Sequence, residues 1–89
     1  MKTDQVALYL EDIWTKGFKL SDEEVRFIYF GRKFTNANYI QVKLAIQLTL
    51  AVQYTFDRSF YISLLELFHS NNIIYKKNAL ELMKKKGII

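Results

Sequence analysis

The run from residue 39 to residue 56, YIQVKLAIQLTLAVQYTF, decides the fold. From Ile40 onward every even position is large and apolar: Ile40, Val42, Leu44, Ile46, Leu48, Leu50, Val52, Tyr54 and Phe56. The odd positions are Gln41, Lys43, Ala45, Gln47, Thr49, Ala51, Gln53 and Thr55. On a strand, successive side chains point to opposite faces, so this alternation gives one apolar face and one polar or small face. On a helix the same glutamines, threonines and lysine scatter round the axis and leave no clean stripe. The rhythm therefore predicts an extended segment, against the helix propensity of its Leu, Ala, Gln and Lys. A strand of this length spans about 56 Å, whereas a compact domain of 89 residues has a radius of gyration of about 12 Å. The strand must bend, break in two, or pair with a second chain.

Working outward on the N-terminal side, the aromatic run Val25 to Phe34 suits a strand. The turn-rich quartet Thr35-Asn36-Ala37-Asn38 joins it to the central run as a hairpin. Gly31 then marks a bulge or a close approach. Such a hairpin leaves Thr49 to Phe56 unpaired, and burying that edge points to a homodimer. Ser21 and Glu24 have capping-box spacing, which predicts a short helix or turn at Ser21 to Glu24. Further back, Val6, Leu10, Ile13 and Trp14 form one face of a helix from Gln5 to Lys16. Gly17 and Phe18 stop that helix.

On the C-terminal side, Asp57 or Ser59 caps a helix from Arg58 to Ser70, with Phe60, Leu64, Leu67 and Phe68 inward. Ser70-Asn71-Asn72 ends it, and Ile73-Ile74-Tyr75 is a short β-prone piece. A last helix, Lys77 to Lys86, turns Ala79, Leu82 and Met83 inward before Gly87. Residues 1–89 thus read as one α+β domain: an N-terminal helix, a long-stranded antiparallel ribbon, and two C-terminal helices covering its apolar face. The alternative is an all-α five-helix orthogonal bundle in which the central run is a buried helix, capped by Asn38 with Gln41 three residues on.

Composition limits the chemistry. The chain is 51% hydrophobic with no cysteine and one histidine, His69. A thiolate nucleophile, a disulfide and a thiolate zinc site are excluded, and a zinc ion wants about four ligands from Cys, His or carboxylate. No metal, cofactor or catalytic residue is expected, and the protein reads as a non-enzyme. The acid groups Glu11/Asp12 and Asp22/Glu23/Glu24 are better explained by helix dipoles than by catalysis. The first dozen residues meet acids too early for a signal peptide, and Gln41, Lys43, Gln47 and Gln53 argue against a membrane span. A cytoplasmic location follows as the expectation.

Trp14, Gly17, Phe18 and Asp22, followed by a hairpin and the Asp57 to Asn72 helix, resemble a degenerate half of a LAGLIDADG homing endonuclease. The resemblance implies a helix ending in an acidic metal ligand before a DNA-reading ribbon, and hence a metal-dependent nuclease requiring Asp22. The chain departs from that pattern where Glu23 follows the acid in place of glycine, and where Thr15 and Lys16 replace the small residues of the helix interface. The assignment is not adopted. The ending NALELMKKKGII, residues 78–89, is similar to the close of a winged-helix recognition helix and reads as a general helix-cap pattern.

Charge is uneven. Residues 1–30 carry six acids and four bases, and residues 31–89 carry nine bases and three acids. Together with Tyr9, Tyr29, Tyr61 and Tyr75, which suit interfaces, this points to a non-catalytic interaction protein, an inhibitor or adaptor docking through aromatic and basic surface. The composition suggests a phage or other mobile-element product. The alternative is direct nucleic-acid binding, with Arg32, Lys33, Lys43, Lys76, Lys77, Lys84, Lys85 and Lys86 as the candidate contacts.

Overall fold

The central run is a helix. The computed structural model describes residues 4–89, so residues 1–3 of the N-terminal dozen read for a signal peptide lie outside it. Among the described residues there are five helices and no strand: α1 (Gln5–Thr15), α2 (Asp22–Thr35), α3 (Tyr39–Gln53), α4 (Arg58–Ser70) and α5 (Lys76–Lys85). The ribbon expected from the alternation is therefore overturned, and the all-helical alternative describes the chain.

Local hydrogen bonds and surrounding helices explain why the alternation misleads. Asn38 and Gln41 close a capping box, the Asn38 side chain accepting from the Gln41 N–H at 2.9 Å and Gln41 Oε1 accepting from the Asn38 N–H at 3.1 Å. Two orphan donors at the helix start are satisfied. Thr49 Oγ1 donates to the Ala45 carbonyl one turn back at 2.6 Å, and Gln41 Nε2 donates to the Phe68 carbonyl at 3.3 Å. Gln41 and Thr49 thus need no solvent, while Lys43 and Gln47 stay half-buried and Gln53 exposed. Gln41, Val42, Leu44, Ala45, Ile46, Leu48, Thr49 and Leu50 are all buried, because α1 and α4 both pack on α3. Fifteen residues coiled at 1.5 Å each reach about 22 Å, which fits a molecule of 36 × 29 × 20 Å.

The second correction concerns α2. The capping box at Ser21 is complete, with Ser21 Oγ accepting from the Glu24 N–H at 3.1 Å and Glu24 Oε1 accepting from the Ser21 N–H at 2.9 Å. It opens a helix that runs on to Thr35 rather than a short turn before a strand. Ile28 and Gly31 are its buried residues, and it packs on α4. Gly31 is not a strand bulge. It is the point of close approach to α4, where a β-carbon would stand 2.9 Å from Tyr61 Cε2. The quartet 35–38 does turn the chain, with Asn36 left-handed at φ 62°, but it joins two helices.

Helices α4 and α5 follow the reading of their one-sided patterns. Asp57 caps α4, accepting from the Phe60 N–H at 2.9 Å. Tyr61, Leu64, Leu65 and Phe68 of α4 are buried, as are Ala79 and Met83 of α5, while Leu82 is half-buried. Residues 73–75 form an irregular link. Helices α1, α4 and α5 each end in a return bond, from the N–H of Phe18 to the Ile13 carbonyl, Ile73 to Phe68, and Ile88 to Met83, at 3.0, 2.9 and 2.9 Å. This satisfies carbonyls that a helix end leaves open. No strand edge exists among the described residues to recruit a second chain, so the expected homodimer loses the reason given for it. No described helix is long and apolar enough to cross a membrane.

Candidate protein-interaction surfaces

The fold scatters the basic residues that the sequence singles out. Arg32 and Lys33 lie in the last turn of α2, Arg32 half-buried and Lys33 exposed, beside Asn36 and Ala37. Lys43 of α3 is half-buried, its ammonium 5.6 Å from the centroid of the Tyr9 ring, so it is engaged within the fold. Lys76 and Lys77 open α5, Lys84 and Lys85 close it, Lys86 follows, and all five are exposed. Lys77 and Lys84 are two turns apart and share the outer face with Lys85, with Glu81 between them. The three sets sit on different helices.

A concavity lies elsewhere, between α1 and α2. It has a volume of about 570 Å³ and is walled by Ala7, Leu10 and Trp14 from α1, Phe18 and Leu20 from the link, and Val25 and Tyr29 from α2. The spacing of Ala7, Leu10 and Trp14 places them on one face of α1. That face turns toward α2 rather than toward the core, which holds Val6 and Ile13. Trp14, expected inward, is 50% exposed and forms part of the groove wall. Among the described residues, the charged side chains lining the groove are Glu11 and Asp22. Of the nearby bases, Lys16 pairs with Asp12 at 3.0 Å, and the Lys19 ammonium lies 5.6 Å from the centroid of the Trp14 ring, at the edge of the groove wall.

A polar clamp fixes the relation of α1 to α2. Asp4 caps α1, its Oδ1 accepting from the N–H groups of Val6 and Ala7 at 3.0 and 3.1 Å. Its Oδ2 accepts from the Tyr29 hydroxyl at 2.8 Å. The Ala7 N–H and then the Tyr29 hydroxyl hold the Asp4 carboxyl below its usual pKa. Burial, and next the hydrogen bond to Asp4, push the Tyr29 phenol up to about 12.

On the opposite flank of α2 runs a ladder of rings. Phe27 and Phe30 have centroids 5.9 Å apart, and Phe30 and Phe34 stack at 5.7 Å. Phe30 is 56% and Phe34 66% exposed. At its inner end the Arg58 guanidinium lies 5.7 Å over the Phe27 ring and 3.6 Å from Glu23.

Among the described residues no group of three His, Cys, Asp or Glu side chains could hold a metal. His69 is half-buried with Nδ1 3.4 Å from Gln41 Oε1. The helix-then-ribbon layout implied by the endonuclease resemblance is absent: Asp22 opens α2 instead of closing α1, and a helix stands where the ribbon would be. Compared with known protein families, residues 1–89 match a family of unknown function, DUF6123. The chain belongs to that family. No curated protein and no solved structure matches it. The groove of this DUF6123 chain escapes sequence reasoning because one wall belongs to α2, read as a strand. Its one sequence signal is a tryptophan just before the Gly17-Phe18 stop.

Proposed function

We propose that the protein is a non-catalytic binding module, an inhibitor or adaptor, that receives an amphipathic segment of a partner protein in the α1–α2 groove. The observation supporting this reading is the groove's make-up: apolar and aromatic walls in which, among the described residues, the charged lining is Glu11 and Asp22. Apolar side chains of a partner helix are desolvated by such walls, and flanking Lys or Arg residues find the acids. A cytoplasmic setting and a mobile-element origin belong to the same reading and rest on composition.

A photo-crosslinking amino acid at Phe18, in cells of the native host, tests it. The expected product is a crosslink to a protein segment with apolar residues flanked by Lys or Arg, reduced about tenfold by Glu11→Lys with Asp22→Lys, a change of roughly 1.4 kcal/mol. An acidic crosslinked segment, no crosslink, or a yield indifferent to the charge reversal overturns it.

A second reading, phosphate binding by α5, draws on one observation: its four lysines and Lys86 just after it are exposed and, among the described residues, none is in an ion pair. Binding to duplex DNA that weakens steeply with salt and is abolished by reversing Lys84, Lys85 and Lys86 to Glu supports it. No binding at low salt removes it.

A further inference from the structure

We infer that the outer face of α2 is a self-association surface, on which a second copy of this chain packs with its own α2 antiparallel. Phe27, Phe30 and Phe34 are spaced by three and then four residues, the a-d-a rhythm of a helix–helix seam. Phe30 and Phe34 are more than half exposed and stacked on each other, so they project as one ridge.

The charge along the same helix selects the occupant. Beside the ridge the first turn sets Glu23, 3.6 Å from Arg58, and the last turn sets Lys33, while Asp22 lines the groove and Arg32 lies on the Tyr29 side of the helix. Laid antiparallel on a copy of itself, the helix sets each Glu23 toward the Lys33 end of the other copy, twice over by the two-fold symmetry, and opposes the two macrodipoles. A parallel arrangement sets like charge against like. Since Val25 and Tyr29 line the groove on the other flank of α2, association through the rings leaves the groove open.

The seam is one helix wide and falls short of the roughly 800 Å² per partner of a standard interface. The dimer is therefore weak and concentration-dependent.

Sedimentation equilibrium of the whole chain from low micromolar to near-millimolar concentration tests the proposal. The mass is expected to rise from one chain to two. Phe34→Glu, at an exposed position where folding can be checked by circular dichroism, is expected to weaken association at least tenfold. Lys33→Glu alone weakens it, and Glu23→Lys added to Lys33→Glu restores it, because the swap rebuilds the complementarity. A nitroxide at Asn36 of one copy is expected to broaden the amides of residues 22–24 in an isotope-labelled second copy. A chain that stays monomeric throughout overturns the proposal, as does a dimer indifferent to Phe34→Glu or a label that broadens the partner's residues 33–35 instead.

Discussion

The ring of Tyr61 fills the space that a side chain on Gly31 would need: a β-carbon there would lie 2.9 Å from Tyr61 Cε2 and 3.0 Å from Ile62 Cδ1. This contact lets α2 and α4 approach closely enough for the Tyr61 hydroxyl to donate to the Ile28 carbonyl at 2.8 Å. Gly31→Ala adds about 1 kcal/mol of helix propensity but forces the packed Tyr61 ring to move, at about 1–3 kcal/mol. The ring is fully buried, so the packing cost wins. Urea denaturation is expected to show a net loss of about 1 kcal/mol, and an unchanged or raised midpoint would mean that the two helices are less closely apposed than described.

The Asp4–Tyr29 clamp makes the docking of α1 pH-dependent at both extremes. Asp4 is depressed in the folded state, so its contribution is present above the unfolded value of 3.8 and is lost as pH falls through the folded value. Tyr29 is raised, so its contribution is full below 10.0 and is lost as pH climbs toward about 12. The stability difference between the wild type and Tyr29→Phe should form a plateau across neutral pH and shrink on both the acid and the alkaline side. Asp4 is exposed and solvent-screened, so the plateau is no higher than about 1 kcal/mol. Thermal melts across the pH range check it, and a difference that grows toward acid would contradict the assignment.

The helices legible in the sequence are those with one buried face. In α4, Phe60, Leu64, Leu67 and Phe68 recur at helical spacing, and Asp57 stands at the cap. The central run defeats the same reasoning because α3 is covered from two sides, so burial takes most of its circumference and leaves outward only a narrow stripe, Ile40, Lys43, Gln47 and Ala51, of mixed polarity. Its every-other-residue rhythm then matches a strand by accident of which positions are polar. The better sign was local: Asn38 and Gln41 at capping-box spacing, a motif that a strand has no use for. For α2, the complete box at Ser21 outweighs the strand preference of Phe27, Tyr29, Phe30 and Phe34. The basic residues were visible as composition, but composition does not say that Lys43 rests on Tyr9 while the α5 lysines face solvent. The groove needed both α1 and α2 as helices, and only one of them was read as such.

Tyr54 ends α3 in the left-handed region at φ 61° and is 87% exposed. A side chain in that conformation costs roughly 1–2 kcal/mol, whereas glycine adopts it freely and loses more chain entropy on folding. Little packing is given up. Tyr54→Gly is therefore expected to stabilise the protein by about 0.5–1 kcal/mol, read as a higher melting temperature. A fall in that temperature would show that the Tyr54 ring carries contacts its exposure does not suggest.

Gln41 ties the first turn of α3 to the last turn of α4, accepting from the Asn38 N–H while donating to the Phe68 carbonyl. It is buried, so whatever replaces it meets no water. Gln41→Leu keeps the bulk and removes both bonds, leaving the Asn38 N–H without its side-chain partner. Such a loss costs about 1–3 kcal/mol. If the central run is the helix that the core is built around, hydrogen exchange should accelerate in the amides at the start of α3 and the end of α4 together. Acceleration confined to α3 would show that the bond to Phe68 contributes nothing to holding the two helices in place.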